Sequence, residues 1–477
     1  MELYSSNKDY KLYHGNMLDM LEVIEPNSID SIVTDPPYGL TSITKRFGKE
    51  DSAECQYGKD GSFARLSKGF MGKEWDGSGI EYNVDAWRKC YEVLKSGGYL
   101  LAFGGSRTFH RIACAIEDAG FEIRDTIMWL YGSGFPKSMN IGLALDKKNG
   151  IDNRTGNIVK GVGSNNTNSM KNGLGESQEF ASEYEERIAQ NEWNGWGTAL
   201  KPSFEPIIVA RKPFKGSLVD NVIEYGVGGI NIDECRVGNE VITQLQKDMT
   251  KYHGNKLGAG HHTQMSGITT QTIGRFPANT ILTYDDTDFD EVCGGFPNNT
   301  ASYRKGNRDS RKAMFDFGSQ DKTNQGYTDS GSASRYFYCA KASKKDRDEG
   351  LDSFNQEKVN DGRQTPIDNA FQRGETLRKN THPTVKPTEL MQYLVRLVTP
   401  NNGIILDPFN GSGSTGKAVM YENKERNKEY KYIGIELTEE YLPISKVRIE
   451  YATQNTMTKE EKKEDISQDQ TTIFDFV

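Results

Sequence analysis

Gly403-Ile404-Ile405-Leu406-Asp407-Pro408-Phe409-Asn410-Gly411-Ser412-Gly413-Ser414-Thr415-Gly416 reads as a strand, a glycine turn and the start of a helix. A short apolar run that ends in Asp-Pro must leave its sheet, because proline donates no ladder hydrogen bond. Gly411 and Gly413 let a ligand lie against bare backbone, and the helix N-terminus behind them offers N–H groups to it. Further on, Tyr432-Ile433-Gly434-Ile435-Glu436 reads as a second strand, ending in an acid placed to grip two ribose hydroxyls. This is the grammar of an α/β fold with a parallel sheet. Short apolar runs at 31–34, 99–103, 127–130, 207–210, 404–406 and 432–435 read as its strands. Residues 84–94, 109–119 and 388–398 space apolar side chains at three and four, as helices do.

The same turn admits a competing reading. Gly411-x4-Gly416-Lys417 is one residue short of a phosphate-loop signature, whose next position holds magnesium through Ser or Thr. Here that position is Ala418, and Asp407 would set a carboxylate beside incoming phosphates.

A second chemical site follows the strand at 31–34. Asp35-Pro36-Pro37-Tyr38-Gly39 forces the chain out of the sheet at the carboxyl end of the strand, where open α/β sheets place ligands. The two prolines stiffen a loop that offers one carboxylate, the Pro36 carbonyl and one aromatic face. That set fits a planar ring with an exocyclic NH2. Asp35 and Pro36 accept its two hydrogens, which makes the nitrogen more nucleophilic, and Tyr38 stacks on the ring. A plain proline-rich turn is the bland alternative.

Composition bounds the rest. At 477 residues the chain has room for two or three domains of the usual ~100 to 200 residues. Apolar residues are 35% and aromatic ones 10%, which suits a globular chain with long polar stretches. No apolar run reaches the ~18 residues of a membrane span, and residues 1–10 show no signal-peptide pattern, so the expected location is cytoplasmic. Six cysteines without a CxxC pair suggest neither a disulfide framework nor a metal site. The net charge of −8 disfavours a uniform coat for nucleic acid. Locally, Arg304, Lys305 and Arg308 cluster, and Arg335, Lys344, Lys345 and Arg347 flank Tyr336, Phe337 and Tyr338. Basic clusters with aromatic neighbours suit phosphate contacts with base stacking, and a solvated charged face is the alternative.

An Asp-Pro-Pro-Tyr loop after one strand and an Asp-Pro-Phe-x-Gly-Ser-Gly turn after another resemble the amino-methylating, S-adenosylmethionine-dependent DNA methyltransferases. The catalytic loop precedes the cofactor loop, which resembles the circularly permuted beta group, typified by adenine methylases of bacteria and phages. His14-Gly15-Asn16-Met17-Leu18-Asp19 is similar to the strand-loop that reads the cofactor adenine, with Asn16 or Asp19 as the ligand. His382-Pro383-Thr384-Val385-Lys386-Pro387 is similar to the segment contacting the methionine end. The chain departs from the family at Gly15-Asn16, where Gly-Asp is more usual, and at Ser414, where Thr is.

The resemblance implies an α/β fold with a doubly wound, mostly parallel seven-stranded sheet that has one antiparallel strand. Asp35, Pro36, Pro37 and Tyr38 would be catalytic. Asn16, Asp19, His382, Pro383, Thr384, Lys386, Asp407, Pro408, Phe409, Gly411, Ser412, Gly413 and Glu436 would bind S-adenosylmethionine. It implies double-stranded DNA as partner, with methyl transfer to a flipped-out adenine. An amino-cytosine methylase shares the loop, usually with Ser in place of Asp35. The expected parts are a catalytic half at 1–212 with a polar insertion at about 150–194, a target-recognition region at 213–379, a cofactor half at 380–453 and a charged tail at 454–477. In that tail Gln470-x-x-Ile473-Phe474 resembles peptides that dock into the replication sliding clamp. A tail packed back on its own sheet through Ile473, Phe474 and Phe476 is the alternative.

Overall fold

The computed structural model describes residues 2–39, 79–131, 138–161, 182–247, 267–283, 337–338, 342–359 and 376–456. Its strands in chain order are β1 (Glu2–Ser6), β2 (Tyr10–His14), β3 (Ile29–Thr34), β4 (Leu94–Phe103), β5 (Glu122–Tyr131), β6 (Arg154–Gly161), β7 (Ser182–Arg187) and β8 (Phe204–Arg211). They continue with β9 (Val237–Lys247), β10 (Gly267–Arg275), β11 (Thr280–Thr283), β12 (Phe337–Tyr338), β13 (Glu357–Val359), β14 (Thr376–Arg378), β15 (Ile404–Asp407) and β16 (Lys431–Glu436).

Ten of them form one sheet in the order β1-β2-β16-β15-β3-β4-β8-β5-β11-β12. The run from β2 to β5 in that order supplies the expected seven strands, and β1, β11 and β12 extend its edges. The pairs from β2 through to β4 are parallel, whereas β8 runs antiparallel to β4. β15 and β3 are direct neighbours, so the Asp407 and Asp35 turns leave the sheet at the same edge.

Residues alternate along the strands between two buried layers, the period-2 rule of a sheet covered on both faces. Leu101 and Phe103 of β4 and Ile207 and Val209 of β8 enter one layer with Leu394 and Val419. Leu100, Ala102, Ile208 and Ala210 enter the other with Trp87 and Ile116. The helices that cover these faces start where local chemistry dictates. Asn83 accepts from the Asp85 backbone N–H to cap Val84–Val93, and Ser217 with Asp220 forms a capping box on Leu218–Tyr225. Thr388–Val398 and Ser414–Glu425 lie against each other through a buried fork, Arg396 Nε to Glu422 Oε2 at 3.0 Å and NH2 to Oε1 at 2.5 Å.

The described residues fall into two compact units, one within 1–132, 205–357 and 378–477, the other within 133–204 and 358–377. This differs from the expected boundaries at 150, 194 and 213. Residues 213–247 are not set apart from the catalytic half: Asn221 of Leu218–Tyr225 donates to the Ser96 carbonyl of β4 at 3.0 Å. β11 likewise pairs with β5, from Thr280 beside Met128 to Thr283 beside Tyr131. Within the expected target-recognition region, β9 and β10 pair as an antiparallel arm. The clusters at Arg304, Lys305, Arg308 and Arg335, and the tail from Gln470 to Phe474, lie outside the described residues.

Candidate active site

The ends of β3, β15 and β16 open on a cavity of about 370 Å3 lined by both predicted loops. Asp35, Pro36, Pro37 and Tyr38 form one wall, and Asp407, Pro408, Phe409, Gly411, Ser412 and Glu436 another. Of the predicted set, Asn16, His382, Thr384 and Lys386 also line it. Asp407 stitches the two loops together. Its carboxylate accepts from Thr34 Oγ1 and Thr415 Oγ1, each at 2.6 Å, and from the Phe409 N–H at 3.1 Å. Thr34 and Asp407 are 373 residues apart in the chain. Burial pushes the Asp407 carboxyl up to about 6, opposed by these donors.

Glu436 is 7% exposed at the end of β16. It accepts from the Gly411 N–H at 2.6 Å and the Thr438 N–H at 2.8 Å. Burial raises its carboxyl to about 7 in spite of those bonds. Gly411 sits at φ +53, and a Cβ there would stand 2.9 Å from His382 Nε2. The bare backbone and the acid are thus both present, as a nucleoside-binding turn requires. His382 is held edge-on to Tyr441, 4.6 Å between ring centres, and burial drives its pKa down to about 3, so it is a neutral wall.

Several predicted residues stand elsewhere than expected. Asn16 lines the cavity but its side chain caps the helix Met17–Leu21 through the Leu18 N–H at 3.0 Å. Asp19 is exposed and Pro383 half-buried, and neither lines the cavity. Gly413 serves packing: at φ +77 its Cβ would meet Ser445 Oγ at 2.6 Å. Lys386, on the segment that resembles the one contacting the methionine end, lines the cavity, donates to Asp35 Oδ2 at 2.5 Å and lies 3.5 Å from Glu205 Oε2. Burial disfavours its ammonium, yet the two carboxylates outweigh that and raise its pKa. Asp35 is raised by burial, with Lys386 opposing. Its second oxygen, Oδ1, is buried with no hydrogen-bond partner among the described residues.

Sequence reasoning missed Glu205, Met391, Thr438 and Tyr441, all on the cavity wall. A single Glu ahead of an apolar run carries no local signature; its adjacent Pro206 was the one available signal.

Lys417 overturns the phosphate-loop reading. Its ammonium is 1% exposed and turned away from the turn, to Asp346 Oδ1 at 2.7 Å and Glu349 Oε2 at 2.6 Å. Lys417→Met is therefore expected to lower unfolding stability by about 3 kcal/mol, the order for breaking a buried pair. Magnesium-ATP should leave the melting temperature of wild type unchanged; a magnesium-dependent rise would restore the phosphate loop. Asp346 also docks the helix Lys344–Asp348, accepting from the Thr388 N–H at 3.0 Å. On that helix Lys344 and Lys345 are exposed, while Arg347 donates to the His382 carbonyl at 3.1 Å.

The family described as DNA methylase, which groups N6 and N4 methyltransferases, matches residues 29–447, a span that takes in both loops. The chain belongs to this family. Among curated relatives, the type II methyltransferase M.HindIII of Haemophilus influenzae is 26% identical over 239 residues, 46% of this chain and 64% of that protein. M2.MboI of Moraxella bovis is 39% identical over 130 residues, 26% of this chain and 42% of that protein. The chain thus spans less than two thirds of the length of either relative. A solved PvuII DNA methyltransferase, titled cytosine-N4-specific, aligns over 98% of this chain and 96% of its own at a TM-score of 0.38 and 12% identity. The methylase cofactor is S-adenosylmethionine, and the turn fits it: the Gly411 backbone lines the cavity beside the buried Glu436 acid.

Proposed function

We propose that the protein transfers a methyl group from S-adenosylmethionine to the exocyclic amino group of adenine in double-stranded DNA, at specific sites. The observation that carries this reading is Asp35 Oδ1, a buried acceptor without a partner among the described residues, on the wall of the cavity that the Gly411 turn also lines. A buried carboxylate oxygen left unmatched costs free energy unless a ligand donor meets it, and an amino group is such a donor. Asp35 and the Pro36 carbonyl take its two hydrogens, and the Tyr38 ring faces the base. Gly411, Ser412 and Glu436 hold the cofactor, which supplies an electrophilic methyl group when bound. Because the target amine is stacked inside duplex DNA, the base must first be flipped out, at a few kcal/mol of unstacking. No covalent enzyme intermediate is needed, so positioning and electrostatics carry the rate.

Purified protein incubated with labelled cofactor and mixed-sequence duplex, followed by digestion to nucleosides, tests this directly. N6-methyladenine is expected. N4-methylcytosine would replace the base assignment, since the family groups both products, and unlabelled DNA would overturn the reading.

Target recognition is proposed in 213–379, where the β9–β10 arm exposes Val241, Ile273 and Phe276. Phosphate contact is assigned to Lys344 and Lys345 rather than to Arg347, whose guanidinium is turned to His382. Replacing both lysines by Ala should weaken binding to all sequences alike and flatten its salt dependence by about two units of log-log slope. An unchanged slope would remove this patch from the interface.

A further inference from the structure

The Asp35 loop is held from a strand on which no motif lies. Glu205, on β8, uses both carboxylate oxygens inside the cavity. Oε2 accepts from the Tyr38 hydroxyl at 2.8 Å and lies 3.5 Å from Lys386 Nζ, and Oε1 accepts from the Tyr131 hydroxyl at 3.4 Å. Lys386 Nζ in turn stands 2.5 Å from Asp35 Oδ2 and 5.1 Å from the centre of the Tyr38 ring. Two acids therefore share one buried ammonium, and one of them also anchors the phenol whose ring faces the base. We infer that Glu205 is a positioning residue for methyl transfer, fixing Tyr38 through its hydroxyl and, by sharing Lys386, keeping Asp35 a strong acceptor for the target amine. This rests on the reading of Asp35 as the acceptor of that amine.

The charge argument is simple. An ammonium paired with Asp35 alone would draw fully on its carboxylate and weaken it as an acceptor; a second carboxylate divides that pull. The charged or titratable groups facing Asp35 are Lys386, Glu205, Tyr38 and Asp407. Of these Lys386 and the Tyr38 hydroxyl favour its ionised form, while Glu205 opposes it. Glu205→Gln keeps a carbonyl for the Tyr38 hydroxyl but removes the charge, so Asp35 should ionise at lower pH and accept more weakly. Glu205→Ala removes both functions.

The test compares full-length variants for cofactor binding, melting temperature and the pH dependence of kcat on duplex DNA. Glu205→Gln should bind S-adenosylmethionine within about twofold of wild type and lose about tenfold in kcat. Its acid limb should move down by about one pH unit, the size of shift a neighbouring charge produces. Tyr38→Phe, which keeps the ring and removes a hydroxyl that favours ionised Asp35, should lose kcat and move that limb up, opposite to Glu205→Gln. A merely structural Glu205 would instead lower melting temperature and activity alike at every pH, and that result would overturn the inference. So would Glu205→Gln with wild-type kcat and acid limb or, should that variant not fold, Tyr38→Phe at the wild-type rate. Turnover lost in Asp35→Ala but untouched in Glu205→Gln sinks the Glu205 role alone, whereas turnover retained in Asp35→Ala sinks the reading beneath it.

Discussion

Replacing Asp35 by Ala is expected to abolish methyl transfer while S-adenosylmethionine binding survives within about tenfold, because the carboxylate acts on the target amine and not on the cofactor's main anchors. Lys386 would keep Glu205 as a counter-charge at 3.5 Å, so the substitution does not strand a buried ammonium, and the protein should stay folded. Cofactor titration and a DNA methylation assay on one preparation separate the two effects. Turnover above about a tenth of wild type would remove Asp35 from the chemistry; a parallel loss of binding and turnover would mark it as a cofactor ligand.

The second large effect is expected at the glycine turn. Gly411→Val places a Cβ 2.9 Å from His382 Nε2 and puts a β-branched residue at φ +53, which is strained whatever the space. Glu436→Ala removes the acid at the same turn and frees the Gly411 N–H that it accepts from. Each should weaken S-adenosylmethionine binding by about 1 to 3 kcal/mol, as lost charged hydrogen bonds and steric blocks do. Calorimetric titration at constant pH measures this, and wild-type affinity in both variants would place the cofactor elsewhere.

Glu436 adds a pH dependence whose sign is fixed. Its carboxyl titrates near 7 in the free protein because burial raises it, and hydroxyl donors of a ligand favour its ionised form. Binding therefore releases a proton, and affinity should rise with pH up to about 7 and level off above it. Below that pH the loss should approach tenfold per unit. Glu436→Gln, measured across the same range, removes this carboxyl and leaves any titration belonging to the ligand, so a variant with the wild-type slope would dismiss Glu436 as its source.

Much of this site is local chemistry. Asp-Pro-Pro-Tyr must turn out of a sheet, Gly411 must be bare where the chain adopts positive φ, and an apolar run of four to six between such turns can be little but a buried strand. Those constraints act over a few residues, so the strands at Ile29–Thr34, Ile404–Asp407 and Lys431–Glu436, and the helix at Thr388–Val398, stand where periodicity puts them. Side-chain partners across the fold are not local. Whether Lys417 meets a phosphate or the pair Asp346 and Glu349 depends on which way its helix face turns. Lys386 finds Asp35, 351 residues away, and Glu205 finds Tyr38, 167 residues away, because β15 lies beside β3, and β8 beside β4. Burial then sets how strongly such charges act, since a carboxylate and an ammonium interact far more in a dry cavity than along an extended chain. The sequence by itself determined the α/β grammar and the two loops; only the tertiary structure decided which charges face each other across the cavity.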